Sequence, residues 1–343
     1  MAAGNLYALY RYFSTAWLGK WLATAPTFCA KELMEDDQPG DYIYYENVAC
    51  VEPPCSYDNR WKDRKETFKF TLRSETAGNI ELMYEELKYR AKASFFPAPF
   101  TPVSHDSETL AYYDCNDPDD TATTLNDYQN TYNLTFGLGA LNDPAWVTTG
   151  ALNRKTFLQM DNGEGVGHAT FLDTMPTALT FEALLKVSAV GLSAFYCPQK
   201  TNTATNTIYI YSTATGTIIF AKIVGGVTVS LEGGYTQPGK WVNIMGTLGS
   251  RGMELYLNGI LIAASTSTTL PGNGTDEDFY INNAGGGGED FDLSIFRCSN
   301  VQRLPWNSLV LSDLKKVPHG QGYYMGEVTI ECKLAKIYTG GYQ

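Results

Sequence analysis

Glu289, Asp290 and Asp292 stand close together in the chain, as do Asp276, Glu277 and Asp278. Hydrolysis of a sugar bond needs two carboxyl groups facing each other across it, one as acid and one as nucleophile or base. The first group lacks a second Glu at a suitable spacing, and the second reads as a solvated turn. His105, His168 and His319 have no nucleophile motif beside them and read as surface or loop residues. No residue is therefore read as catalytic. Asp161 and Asn162 occupy one turn, while Asn282 and Asn283 open another loop; together they supply oxygen ligands of the kind calcium takes. Ordinary turn chemistry explains the same residues, since Asp and Asn favour turns. Trp146 and Tyr235 are aromatic residues that could stack on sugar rings, with core or edge packing as the competing role. Gly285 to Gly288 lack the Lys and the strand-to-helix setting of a phosphate loop and read as a turn.

The composition narrows the classes of function. With 25 Lys and Arg against 37 Asp and Glu, the formal charge is -12, which argues against gripping nucleic acid through its phosphates. A protein that lets DNA pass without binding it could still be acidic. The 23 Tyr and 16 Phe lean the chain toward strands. Seven scattered cysteines without C-x-x-C spacing point to free thiols in a reducing compartment, not to a disulfide framework or a zinc site. The opening segment has no basic region ahead of its apolar stretch, and no apolar run reaches bilayer length. The expectation is a protein made in the cytoplasm that does not enter a membrane.

The elements that would position these residues follow from periodicity. Leu6, Leu9, Tyr10, Phe13, Trp17 and Trp21 share one helical face, and Pro26 marks the predicted end. Phe68, Phe70 and Leu72 alternate with polar residues as in a half-exposed strand. A second helix follows, with Asn79 as its expected cap and Ile80, Met83, Tyr84, Leu87 and Ala91 on one side. After an Asp-, Thr- and Pro-rich stretch come many short strands separated by turns, the signature of an all-β sandwich. Near the end, Tyr324, Gly326, Val328, Ile330, Cys332 and Leu334 alternate along a long strand lying beyond that sandwich. An unpaired strand exposes its backbone, so this one is expected to pair with the first domain.

In order, KTFLQMDNG, LTFEALLKV, GKWVNIMGTLGSRGMELYLNGILIAAS, FYINN and EDFDLSIFR resemble the laminin-G-like, concanavalin A-like family, with Trp241 and the hairpin Tyr256, Asn258 and Gly259 as its nearest matches. The resemblance implies a jelly-roll sandwich. The fold class expected is mainly β: a sandwich over 106–317 inserted into a small α+β domain made of 1–105 and 318–343.

The chain ends, with RWKDRKETFKFTLRSETAGNIELMYEELKYRA and the late strand Tyr324 to Leu334, are similar to the tail terminator (tail completion) proteins of tailed bacteriophages. That resemblance implies a virion structural protein in the tail or neck, forming a homohexameric ring that meets the tail tube protein and the head-tail connector. Glu32, Glu35, Asp36 and Asp37 would then line a lumen through which DNA passes without specific binding; a solvated loop is the plainer account of them. The competing expectation is an adhesin or decoration protein whose sandwich binds host-surface glycans. A glycosidase ranks behind both. No cofactor is expected unless calcium binds.

Overall fold

The structure is a computed structural model that describes residues 5–15, 17, 19–34, 39–51, 61–62, 65–93, 105–115, 123–138, 142–147, 157–161, 164–187, 195–203, 205–213, 215–234, 239–275, 278–282, 291–317, 323–334 and 337–338. The chain divides into two compact units. Unit 1 takes Met1–Thr101 and Arg303–Gly340, and unit 2 takes Pro102–Gln302.

In unit 1 the strands run in the order Thr27–Ala30, Tyr42–Val51, Lys65–Ser74, Tyr324–Leu334, Trp306–Leu311, with Lys315–Val317 also on Tyr324–Leu334. The first pair is parallel and the rest are antiparallel. The alternation read from sequence produces this sheet. Phe68, Phe70 and Leu72 meet Ile330, Val328 and Gly326 in register, and all the large apolar residues among them are fully buried. Helix Ala77–Ala93 lays Ile80, Met83 and Leu87 into the same core, and helix Asn5–Ser14 adds Leu9, Tyr12 and Phe13, the last edge-on to Phe70 at 5.5 Å. Gly326 permits the close approach: a Cβ there would lie 2.7 Å from Leu314 Cδ1 and 2.9 Å from Ile80 Cγ2. The opposite face of the sheet is charged, with Lys69 between Glu46 and Glu327, and Lys65 on Glu331.

Three expectations change here. Residues 303–317, read as the end of the sandwich, belong to unit 1, because Trp306–Leu311 and Lys315–Val317 are hydrogen-bonded to Tyr324–Leu334. The opening helix ends at Ser14, although Trp17 and Trp21 continue its period. Gly19 adopts φ +66°, outside any helix, and Trp17 Nε1 donates instead to the Leu22 carbonyl at 2.7 Å. Asn79 is the third residue of its helix and not the cap. Its amide donates to Asp41 at 2.9 Å, while Thr76 O takes the Asn79 N–H.

Unit 2 is the jelly-roll sandwich. One sheet runs Ile260–Ser265, Gly252–Leu257, Trp241–Gly249, Leu179–Val187, Phe291–Ser299, Phe157–Met160, Ala145–Val147, with Thr109–Asp114 also paired to Phe291–Ser299. The other runs Val227–Gly233, Ile218–Val224, Asn206–Ser212, Phe195–Thr203, Phe279–Ile281, Val166–His168, Leu134–Phe136, Thr124–Leu125. Inward residues such as Phe181, Leu185, Phe296, Phe220 and Ile210 form one continuous apolar core. Gly246 sits where the sheets press together; a Cβ would lie 2.8 Å from Ile210 Cδ1. The Asn-Gly hairpin forms as read, with Asn258 at φ +49° and Gly259 at φ +75°, the positive pair a two-residue turn requires.

Candidate functional site

Successive strand residues point to opposite faces, so the strand LTFEALLKV sends Phe181, Ala183 and Leu185 into the core and turns Glu182 and Lys186 outward. In register beside them, FDLSIFR turns Asp292 and Arg297 the same way. This outward face carries three charge pairs. Arg297 reaches Glu182 with Nε at 2.5 Å and also with Nη2. Arg251 donates to Glu254, Nη2 to Oε2 at 3.0 Å, and Tyr256 OH donates to the same oxygen at 3.0 Å. Lys186 Nζ lies 2.5 Å from Asp292. Glu182, Glu254, Arg251 and Arg297 are all buried, where an uncompensated charge would cost several kcal/mol. Glu182, Glu254 and Asp292 are thus each held by a neighbouring cation.

The Lys186 pair lies toward one rim. Its ammonium stands 5.2 Å from the centre of the Phe157 ring and 5.5 Å from that of Trp241, which are themselves edge-on at 5.8 Å. Burial raises the pKa of Asp292, and the hydrogen bond and charge of Lys186 only partly offset this; Asp161 adds to the rise.

The structure brings Asp161 and Asn282 together at this end. Asn282, buried at φ +61°, donates its amide to Glu164 O at 2.9 Å and Asp161 O at 3.4 Å. Asn282 thus ties these two loop carbonyls together, and among the described residues no group of three or more His, Cys, Asp or Glu could hold a metal ion. Asn162, Asn283, Tyr235, Asp276, Glu277, Gly285 to Gly288, Glu289, Asp290 and His319 lie outside the described residues, as do Glu35, Asp36 and Asp37. Glu32 is exposed on the short turn Lys31–Leu33. Trp146 is half-buried against the sandwich core, 5.8 Å from Phe136. His168 accepts the Thr170 N–H on Nδ1, and burial lowers its pKa.

Sequence reasoning missed the other buried charges. Lys200 pairs with Asp173 at 2.6 Å; Lys222 donates to the carbonyls of Ser267 and Thr269. The even spacing of Glu182 and Lys186 marks them as outward, but nothing local names a partner more than a hundred residues away. Cys29, Cys115, Cys197, Cys298 and Cys332 are free thiols. No helix among the described residues is long and apolar enough to cross a membrane.

This architecture is that of the concanavalin A-like jelly roll. Residues 161–296 match the family model described as the concanavalin A-like lectin/glucanases superfamily. None of the curated proteins compared with the chain matches it. Among solved structures, similarity extends to the receptor-binding domain of botulinum neurotoxin type G, at 12% identity and TM-score 0.43 over 57% of this chain and 48% of that one. It extends also to the sialidase of Trypanosoma rangeli, at 10% identity and TM-score 0.44 over 81% of this chain and 53% of that one. The chain thus spans about half the length of the structures it matches.

Proposed function

We propose that unit 2 is a glycan-binding module that does not hydrolyse its ligand. The family match of 161–296 supports a fold used by both lectins and glycosidases, so the choice between them rests on the site. The observation that carries it is the pairing on the outward face: Glu182, Glu254 and Asp292 are each engaged by Arg297, Arg251 or Lys186. An acid catalyst must hold a transferable proton beside the scissile oxygen, and its partner must present a free lone pair. Carboxylates that are buried and drawn to cations in this way are out of reach of a substrate's scissile bond. The full chain should bind a subset of neutral or acidic oligosaccharides on a printed array, saturably, and release no reducing sugar from them. Turnover abolished by Asp292→Asn would replace this reading with a glycosidase, and failure to bind any glycan would end it.

For unit 1 a second reading is favoured by one observation. The strands Lys65–Ser74 and Tyr324–Leu334 pair over ten positions and join the chain ends into one sheet, as the resemblance to phage tail terminators requires. In that reading unit 1 assembles as a hexameric ring in the virion neck, between tail tube and connector, and unit 2 is the decoration it carries. Mass photometry and negative-stain images of the purified chain test it: sixfold rings support it, and a monomer at micromolar concentration removes it.

A further inference from the structure

We propose that the loop 126–133 of unit 2 is a preformed sugar-contact surface centred on Tyr128, and that its ligand is an uncharged pyranose. The inference rests on the reading of unit 2 as glycan-binding and adds to it a place and a ligand class.

The loop is built around Asp127, which is buried. Its Oδ1 accepts the Tyr112 N–H at 2.9 Å, and its Oδ2 accepts the N–H groups of Thr131 at 3.2 Å and Tyr132 at 3.4 Å. Its own N–H donates to Asn133 Oδ1 at 2.8 Å, and its carbonyl takes the Asn130 N–H at 2.7 Å, with Asn130 at φ +53°. Tyr128 N–H donates to Tyr112 O at 2.9 Å, tying the tip to the strand Thr109–Asp114. A loop with this many internal bonds has little conformational freedom left to lose on binding.

What the loop presents is an aromatic ring with amides beside it. Tyr128 is 53% exposed, although its ring is stacked on His105 with centroids 3.6 Å apart. His105 Nδ1 is buried without a hydrogen-bond partner, so that stacking is what backs the tyrosine. One ring face is thus supported and the exposed remainder is held in place. Gln129, Asn130 and Thr131 are also exposed, and the side-chain amides of Gln129 and Asn130 make no hydrogen bond among the described residues. The four residues carry no charge, and the one carboxylate, Asp127, is consumed by backbone donors. A planar apolar face flanked by unused amides matches a sugar, whose C–H face stacks and whose hydroxyls both donate and accept. Nucleic acid and anionic glycans would call for cations that the loop does not have.

The surface is separate from the Lys186 rim. Tyr112 is opposite Arg297 in register, five positions from Asp292 along one strand, or about 17 Å at strand spacing.

Saturation-transfer NMR on the full chain with maltotetraose, chitotetraose and lactose tests the inference. At least one should bind, Tyr128→Ala should weaken that binding about tenfold or more, and Tyr128→Phe should stay near wild type. Lys186→Met should leave it unchanged. If Tyr128→Ala binds as wild type does, the loop is not the site while the glycan-binding reading stands. If a sugar bound by the wild type is lost only in Lys186→Met, the site is the rim. If the folded wild type binds none of these sugars, the uncharged-pyranose assignment fails, and binding on the wider array then decides the general reading.

Discussion

Glu182 and Arg297 face each other in antiparallel strands, and both Nε and Nη2 of the guanidinium converge on the same carboxylate oxygen. The other oxygen, Oε1, is buried without a hydrogen-bond partner. This pair is thus costly to desolvate and costly to break. Arg297→Met should strand a buried carboxylate and destabilise unit 2 by about 3–5 kcal/mol. Combining it with Glu182→Met should recover at least half of that loss in urea unfolding. A single variant that loses less than about 1 kcal/mol would show the pair to be solvated.

Lys222 gives a pH signature of fixed sign. Its side chain is 1% exposed, its ammonium is bonded to two carbonyls, and burial lowers its pKa from 10.5 to about 8. Between those values the unfolded chain holds a proton that the folded chain has released, so stability from this group rises with pH across about 8 to 10.5. Below that window the cost of burying the charge is fully present. The stability difference between wild type and Lys222→Met should shift by about 2–3 kcal/mol in favour of wild type from pH 7.5 to 10.5. A flat difference would mean that Lys222 keeps its ordinary pKa.

Gly252 should not tolerate a side chain. It sits at φ +82°, and a Cβ there would lie 2.1 Å from the carbonyl oxygen of Ser265, a backbone atom that cannot swing aside. Gly252→Ala should cost about 2 kcal/mol or more. Gly326→Ala meets only side-chain methyls and should cost about 1 kcal/mol. Paired thermal melts compare them, and equal losses would contradict the distinction between backbone and side-chain obstacles.

Removing residues 318–343 should leave the Lys65–Ser74 strand with one open edge and strip Val328, Ile330 and Cys332 from the unit 1 core. The truncated chain should lose unit 1 as a cooperative transition, whereas a fragment over 105–302 should still unfold cooperatively. A native-like two-transition melt from the truncated chain would show the strand to be dispensable.

What could be read in advance divides by range. Alternation at Phe68, Phe70 and Leu72 and the Asn258–Gly259 turn are local, and the sequence states them outright. The late strand was legible because its apolar parity needed a partner. The segment 303–317 carries strands that look like those of the sandwich, and only their pairing with Tyr324–Leu334 distinguishes them. At the candidate site, the sequence reading singled out neither Glu182 nor Lys186, although their parity in LTFEALLKV opposes that of Phe181, Ala183 and Leu185. The identity of Arg297 as partner, 115 residues away, is a property of the register and not of any window of sequence.

The pairing of Ser74 with Tyr324 spans about 250 residues of intervening chain. During synthesis at roughly 5–20 residues per second, the N-terminal strands and helices of unit 1 therefore wait on the order of 10–50 s for the strand that lies between Lys65–Ser74 and Trp306–Leu311. Unit 2 emerges complete in that interval and can fold while its host is still half-made. For that time the Lys65–Ser74 edge is open to any other nascent chain, so crowded ribosomes, heat or loss of a holding chaperone should harm the yield of unit 1 before that of unit 2.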